Sequence, residues 1–201
     1  MIVIIDYGMG NLRSVQKAIE AVGREAQVSE RPEDVRAASH VILPGVGAFE
    51  EAMRRLDESG LGEAFREAVG LGKPCLGVCL GLQLLFEESE EDGIHKGLGL
   101  LPGRVIRFTP APGLKIPHMG WNTLEIARPA PILKGLPPNP SVYFVHSYHA
   151  SAAEPSDVAA VTEHGVRFPS VVWRDNLSAC QFHPEKSQKL GLAMYDNFAR
   201  L

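Results

Sequence analysis

Residues 74–88 read PCLGVCLGLQLLFEE and predict a buried strand, a tight turn at Cys79 and a helix over 80–88. Gly77 and Gly81 stand two residues to either side of the turn, where glycines let the strand and the helix pass closely. A residue on such a turn has a strained backbone and lies at a helix N-terminus, where free N–H groups favour a thiolate. Cys79 is therefore a candidate nucleophile, although a free cysteine is more often a small buried apolar side chain.

Strands and helices alternate through the first half of the chain. Strands are predicted over 2–6, 26–29, 40–43 and 74–78, and helices over 12–22, 32–38 and 49–69, the last of them broken near Gly60. Such alternation implies right-handed crossovers and a mostly parallel sheet covered by helices.

The second half differs in composition, because prolines and glycines become more frequent after Gly93. Strands are predicted over 103–108, 141–145, 158–162, 170–173 and 178–182, and an amphipathic helix over 187–200 closes the chain. The sequence contains no internal repeat, low-complexity segment or linker. The prediction is one α/β domain over residues 1–201, with a β-rich second half.

The composition is that of an ordinary globular domain. The 201 residues carry 20 Lys and Arg against 24 Asp and Glu, a net charge of −4, which argues against a nucleic-acid binder. Residues 87–92 form the densest acidic run, interpreted as a solvated helix end. No apolar stretch approaches the length of a membrane span, and residues 1–6 do not resemble a signal peptide. Three cysteines fit a reducing compartment, so we expect a cytoplasmic protein.

A thiolate nucleophile needs an acid–base partner, and His183-Pro184-Glu185 offers one. Pro184 favours an extended backbone at His183. In an extended chain alternate residues share a face, so Glu185 can turn towards the imidazole. A carboxylate there would fix the histidine tautomer and stabilise its protonated form. A lone histidine is more often a structural hydrogen-bonding group, and it is the combination with Cys79 that favours catalysis.

Acyl chemistry also needs donors for an oxyanion. The N–H of Leu80 directly follows the candidate nucleophile. The Val46-Gly47 peptide lies at the end of a neighbouring strand, where open α/β sheets bind ligands, and is the second candidate. The alternative for that loop is a plain strand-to-helix turn.

Nucleotide and metal sites are not predicted. The segment Gly8-Met9-Gly10 lacks the third glycine of a dinucleotide fingerprint, and no Gly-Lys-Ser/Thr follows residues 44–47. His146 and His149 are three apart, but no metal-binding motif accompanies them. We therefore expect neither a cofactor nor a metal.

Six segments carry a resemblance to a known family. They are DYGMGN (6–11), LPGVGAF (43–49), GVCLGLQ (77–83), PHMGWN (117–122), YFVHSYH (143–149) and QFHPEKS (181–187). With them the chain resembles, over essentially its whole length, the class I (triad-type) glutamine amidotransferases. Within that family it resembles the glutaminase subunits of imidazole glycerol phosphate synthases, which the first, second and fourth segments single out.

The resemblance implies a flavodoxin-like fold: a mostly parallel central sheet flanked by helices, with an antiparallel second half. It also implies that Cys79 attacks the side-chain amide of glutamine, that His183 protonates the departing ammonia and later activates water, and that Glu185 orients His183. The implied oxyanion donors are Val46, Gly47 and Leu80, and the implied glutamine-binding residues are Gly45, Gln83, Ser147 and Tyr148. The products are glutamate and ammonia.

A partner is implied as well, because the chain has no second synthase domain. In this family the partner is a (β/α)₈-barrel cyclase subunit that forms a heterodimer with the glutaminase. Ammonia passes through the barrel to a ribonucleotide, which gives imidazole glycerol phosphate and an aminoimidazole carboxamide ribotide in histidine biosynthesis. The residues expected at the interface are Asn11, His118, Met119, Trp121, Asn122, Tyr143 and Lys186. We also expect partner binding to turn the Val46-Gly47 peptide into donor geometry.

Three other interpretations remain open at the level of sequence. The chain could be the glutaminase of another synthase, of the anthranilate or pyridoxal phosphate type. It could be a cysteine peptidase on the same framework, which Gln83 and the His-Pro-Glu motif disfavour. It could also be a regulatory subunit without catalysis, in which Cys79, His183 and Glu185 would be free to change.

Overall fold

The computed structural model describes residues 1–152 and 154–201, and its first half alternates strands with helices. The strands are β1 (Ile2–Ile5), β2 (Ala26–Ser29), β3 (His40–Gly45) and β4 (Cys75–Cys79). The helices are α1 (Leu12–Ala21), α2 (Pro32–Ala37), α3 (Phe49–Ser59), α4 (Leu61–Gly70) and α5 (Leu80–Gln83). The predicted break at Gly60 is confirmed, since this residue takes a left-handed conformation between α3 and α4.

The second half is dominated by strands. They are β5 (Phe86–Ser89), β6 (His95–Lys96), β7 (Leu101–Arg107), β8 (His118–Thr123), β9 (Glu125–Ile126), β10 (Ser141–His146), β11 (Tyr148–Ala152), β12 (Val158–Glu163), β13 (Arg167–Arg174) and β14 (Leu177–Cys180). Short 3₁₀ helices cover Pro131–Leu133, Pro155–Asp157 and Pro184–Lys186, and the helix α6 (Gln188–Phe198) closes the chain as predicted.

An eight-stranded sheet with the order β2-β1-β3-β4-β14-β13-β12-β9 runs through the molecule. The first five strands of that order are parallel, and the last three are antiparallel. Two smaller sheets, β10-β8 and β11-β7-β5-β6, lie beside it. The predicted fold class, a mostly parallel sheet with helices and an antiparallel second half, is confirmed.

Both faces of the large sheet are buried. Val3 and Ile5 of β1 belong to one apolar cluster, and Ile2 and Ile4 belong to the other. Because alternate residues of a strand point to opposite faces, each face of β1 packs against its own layer. This explains the uniformly apolar sequence of the strand.

No helix in the described part of the chain is sufficiently long and apolar to cross a bilayer.

One predicted helix is wrong in length. Instead of a helix over 80–88, α5 ends at Gln83, and β5 begins at Phe86 and pairs with β7 and β6. The carbonyls of Leu84 and Leu85 accept backbone N–H groups from residues 98, 100 and 101, rather than from a further helical turn. The continuous apolar run fits either structure, so these distant partners determine the outcome.

Candidate active site

The elbow, residues 77–81, places Cys79 at the carboxyl end of β4 and immediately before α5. Cys79 has φ 56° and ψ −110°, a conformation that a non-glycine residue adopts only under strain. Its side chain is 6% exposed. The predicted strained turn is therefore present, although α5 is too short to contribute much of a helix dipole.

The glycines of the elbow are required by close packing. A Cβ atom on Gly77 would lie 2.7 Å from the carbonyl oxygen of Gly81, and a Cβ on Gly81 would collide with the carbonyl oxygen of Leu43. Gly45, at the end of β3, faces the same crowding from the Tyr7 hydroxyl at 2.5 Å and from the Cβ of Leu80 at 2.9 Å. Because these three glycines have no side chains, β3, β4 and α5 can converge at Cys79.

His183 and Glu185 form a buried pair. The Nδ1 atom of His183 lies 2.7 Å from Oε1 of Glu185, and the two side chains are 2% and 1% exposed. His183 is extended, as Pro184 predicts, but Glu185 reaches the ring from a 3₁₀ turn rather than from a continuing extended chain. Tyr195 adds a 3.4 Å hydrogen bond from its hydroxyl to Oε2 of Glu185. The carboxylate is therefore held on both oxygens.

The electrostatics of His183 result from two opposed effects. Burial alone would lower its pKa, but the interactions with Cys79 and Glu185 outweigh burial and raise the pKa from 6.5 to about 10. The Nε2 atom is buried without a hydrogen bond of ordinary geometry, although the Cys79 thiol is close enough to affect the titration. The imidazole ring is thus protonated at neutral pH. Its Nδ1–H donates to Glu185, and its Nε2–H is available for a reacting group.

The predicted oxyanion loop follows β3. Val46 is 41% exposed, and Gly47 has φ 101°, a conformation that glycine adopts without strain. The Tyr7 hydroxyl donates a 2.9 Å hydrogen bond to the carbonyl of Pro44 and so fixes the start of the loop. The N–H of Leu80 is the first of α5 and belongs to the N–H groups that a helix leaves unpaired.

A cleft of about 310 Å³ joins these groups. Its lining includes Val46, Gly47, Cys79, Leu80, Gln83, Ser147, Tyr148, His183 and Lys186. Of the predicted glutamine-binding residues, only Gly45 lies outside this lining, because it is buried against Tyr7 and Leu80 behind the loop. The Nε2 atom of Gln83 donates to the carbonyl of Tyr148 at 2.9 Å and to Oε1 of Gln181 at 3.1 Å. Both amide protons are used, which leaves the Gln83 carbonyl oxygen for a ligand.

Glu91 also lines the cleft, and the sequence interpretation missed it. Its Oε2 atom accepts the N–H of Phe49, the first residue of α3, at 2.8 Å. Burial raises the pKa of this carboxyl. The sequence predicts a solvated helix end for the acidic run, but β5 occupies residues 86–89 and Glu91 lines the cleft. Nothing in the local charge pattern separates it from its exposed neighbours.

Most of the predicted interface residues gather on the β8–β10 ribbon. Trp121 pairs with Tyr143 across the two strands, and their rings meet edge to face with centroids 6.1 Å apart. The Nζ atom of Lys186 lies 5.7 Å from the centre of the Tyr143 ring. Met119 and Trp121 are 63% and 50% exposed, an unusual exposure for large apolar side chains. We call Met119, Trp121, Tyr143 and Lys186 the ribbon patch.

The other three predicted interface residues differ in their surroundings. Asn11 is half-buried just before α1, and its side chain makes no capping hydrogen bond. Asn122 is half-buried, and His118 is only 4% exposed, so the imidazole of His118 does not face the surface. Within residues 1–152 and 154–201 no group of three or more His, Cys, Asp or Glu side chains is arranged to hold a metal ion.

The comparisons with known proteins agree with this geometry. The class I glutamine amidotransferase family matches residues 3–200, nearly the whole chain. The chain therefore belongs to the class I glutamine amidotransferases.

Its most similar relatives include proteins named imidazole glycerol phosphate synthase subunit HisH. That of Syntrophotalea carbinolica is 55% identical over 98% of both chains. Those of Desulfitobacterium hafniense and Thermosynechococcus vestitus are 53% and 52% identical, and each alignment covers all of this chain and 94% or 96% of the relative. These relatives are subunits of a synthase, so a partner subunit is implied for this chain.

Solved structures of lower identity share the fold. A glutamine amidotransferase crystal structure has a TM-score of 0.77 at 23% identity, with all of both chains covered. The glutaminase domain of Trypanosoma brucei CTPS, solved with bound acivicin, has a TM-score of 0.68 at 17% identity, with 99% of this chain and 93% of that one covered.

Proposed function

We propose that Cys79, His183 and Glu185 form the working triad of this amidotransferase. Cys79 attacks the side-chain amide carbon of glutamine as a thiolate. His183 gives the proton on Nε2 to the departing nitrogen, the C–N bond breaks, and ammonia leaves a thioester on Cys79. His183 then takes a proton from water, which attacks the thioester and releases glutamate. The observation that carries this proposal is the imidazole of His183, held by Glu185 at 2.7 Å, beside a cysteine with a strained backbone.

The surrounding groups fit the tetrahedral intermediate and the amino-acid end of the substrate. The N–H groups of Leu80 and Gly47 serve as oxyanion donors in this proposal. The carboxylate of Glu91 and the free amide oxygen of Gln83 accept hydrogen bonds from the α-ammonium group of glutamine. The backbone at Ser147 and Tyr148, which lines the same cleft, binds the α-carboxylate.

The chain is the glutaminase subunit of an imidazole glycerol phosphate synthase and works in histidine biosynthesis. Full-length identities of 52–55% to relatives named HisH support this assignment over the glutaminase of another synthase. The complete triad is the observation that disfavours a regulatory subunit without catalysis.

The partner in this proposal is a (β/α)₈-barrel cyclase subunit, which receives the ammonia and forms a heterodimer with this chain. The ribbon patch is its docking surface, since it combines exposed aromatic and apolar groups with one cation. The patch also adjoins the site: the carbonyl of Tyr143 accepts the backbone N–H of His183 at 2.9 Å.

The three unpaired thiols support a cytoplasmic location, and the shared large sheet supports a single domain over 1–201.

Labelling of the chain by a glutamine analogue with a diazoketone in place of the amide tests the triad. We expect one label per chain, on Cys79, and none after Cys79→Ala. Cys75→Ala is the matched control, because Cys75 is a buried thiol of the same strand and should leave labelling intact. Labelling that persists in Cys79→Ala, or none in the unaltered chain, would contradict the proposal.

A further inference from the structure

A chain of hydrogen bonds connects the molecular surface with the active-site cleft. Asn122 Nδ2 lies 3.1 Å from Nε2 of His118, and Nδ1 of His118 lies 2.9 Å from Nε2 of His146. Nδ1 of His146 lies 2.8 Å from the carbonyl oxygen of Tyr148. Asn122 is half-buried on the ribbon, whereas His118 and His146 are 4% and 7% exposed.

The direction of this chain follows from its inner end. A carbonyl only accepts, so Nδ1 of His146 carries the proton and its Nε2 is an acceptor. Nδ1 of His118 must then donate, which makes its own Nε2 an acceptor for the amide of Asn122. The amide has the orientation that this requires, since its oxygen accepts the N–H of Thr123 at 2.8 Å. Every donor meets an acceptor, and both rings are fixed in one tautomer.

This series of hydrogen bonds requires both imidazole rings to be neutral, because each ring donates from one nitrogen and accepts at the other. Burial lowers the pKa of His118 to about 4 and that of His146 to about 3. His164, which stacks on His118 with centroids 4.1 Å apart, and the nearby His149 also disfavour a positive charge there. Both rings are therefore uncharged at neutral pH, as the hydrogen bonds demand.

Beyond Tyr148 the bonds continue to the nucleophile. The carbonyl that accepts from His146 also accepts from Gln83, whose amide in turn donates to Gln181. Nε2 of Gln181 lies 3.9 Å from the sulfur of Cys79, within the range for a weak hydrogen bond to sulfur. A displaced Tyr148 carbonyl would release the amide of Gln83 from the orientation that presents its oxygen to the cleft.

We infer that His118 and His146 are positioning residues that hold the Tyr148 carbonyl, and through it Gln83, in the geometry that binds the amino-acid end of the substrate. The inference rests on the proposed function, since it assumes that Gln83 and Tyr148 contact glutamine. It differs from the interface role expected for His118, and it gives the two buried histidines a task that the triad does not need.

Two substitutions at position 146 test the two ring nitrogens of His146 separately. The amide of His146→Asn can place a donor where Nδ1 stands, whereas that of His146→Gln places its polar end where Nε2 stands. We expect His146→Gln to raise the half-saturating concentration for diazoketone labelling of Cys79 about tenfold, with the maximal labelling rate changed less than about threefold. His146→Asn should rescue binding to within about threefold. His40→Gln, at a histidine outside the chain of bonds, is the control and should change neither quantity.

The outcomes distinguish this inference from its premise. An unaltered chain that is not labelled contradicts the proposed function, whereas labelling with an unchanged half-saturating concentration in His146→Gln overturns the inference alone. A purely structural role would lower the melting temperature of both variants and leave that concentration unchanged, which also overturns it. If His146→Gln does not fold, Asn122→Leu provides the test. Removal of this outer donor should raise the half-saturating concentration for labelling about threefold. An unchanged concentration overturns the inference.

Discussion

At the scale of single residues, the proposed chemistry depends on the buried pair of His183 and Glu185. Burial disfavours a protonated imidazole, and the interactions with Cys79 and with the Glu185 carboxylate 2.7 Å away together reverse that preference. Removal of one member of a buried pair leaves the other uncompensated, which typically costs about 3–5 kcal/mol. We therefore expect the pair to contribute to stability as well as to the proposed catalysis.

Glu185→Gln tests this pair through its dependence on pH. The His183 pKa is raised from 6.5 to about 10 on folding, so its stabilisation is complete below pH 6.5 and is lost as the pH rises through 10. The variant should be about 3 kcal/mol less stable at pH 6, with the deficit shrinking towards pH 10. Urea unfolding across this range measures the difference. Glu25→Gln, at an exposed carboxylate, is the control, and a deficit that is constant with pH would contradict this account of His183.

Glu91→Gln tests the second carboxylate of the cleft. If Glu91 binds the α-ammonium group of glutamine, loss of its charge should raise KM for glutamine about tenfold or more, because hydrogen bonds to charged groups contribute about 1.5–3 kcal/mol. Steady-state kinetics give KM, and kcat should fall less. Glu90→Gln removes a neighbouring carboxylate that pairs with Arg104, and it should have no such effect. Equal KM values in the two variants would exclude this role for Glu91.

The triad residues could be proposed from sequence because each lies in a short motif whose local geometry is nearly autonomous. Gly77 and Gly81 flank Cys79, and Pro184 constrains His183. Glu91 could not be proposed in that way. Its contact with Phe49 joins residues 42 positions apart, and its neighbours carry the same charge.

At the scale of elements, the elbow depends on the close passage of β3, β4 and α5. Strands β1 to β4 and most helices were predictable, because apolar periodicity and glycine breaks are local features. Strands β5, β8 and β11 were not, because each is defined by pairing with a partner distant in sequence, such as β8 with β10. The helix predicted over 80–88 begins at Leu80 but ends at Gln83 for the same reason.

Gly81→Ala should destabilise the elbow. The added Cβ meets the carbonyl oxygen of Leu43, which is backbone and cannot rotate away, so we expect a loss of at least about 1–3 kcal/mol in the free energy of unfolding. Glutaminase activity should fall with it, because Cys79 shifts. Gly70→Ala, near the end of α4 with nothing within 4 Å of the new Cβ, is the matched control and should be neutral or slightly stabilising. Equal stabilities in urea would contradict the packing argument.

At the scale of the whole molecule, the proposed docking surface and the proposed active site both involve the β8–β10 ribbon. Position 143 contacts Trp121 on the surface side and His183 through its backbone carbonyl. The motif PHMGWN indicated interface residues without predicting a strand, and only the pairing of β8 with β10 shows which side chains face outward. That 1–201 functions as a single domain stays a prediction.

Trp121→Ala should weaken association with the cyclase subunit. A half-exposed tryptophan in the middle of a docking surface is a typical hot spot, so we expect the dissociation constant to rise about 30-fold or more. Titration calorimetry with the purified cyclase subunit measures it. Leu71→Ala removes an exposed apolar side chain that follows α4, outside the ribbon patch, and should leave affinity unchanged. Equal affinities for both variants would place the docking surface elsewhere.

The most direct experiment measures glutamate release from glutamine, with and without a purified barrel cyclase subunit and its ribonucleotide ligand. Since partner binding is expected to turn the Val46-Gly47 peptide towards the oxyanion, we predict weak activity alone, strong stimulation in the complex, and none in either state after Cys79→Ala. Activity that is absent in every combination, or high and indifferent to the cyclase subunit, would contradict a partner-coupled glutaminase.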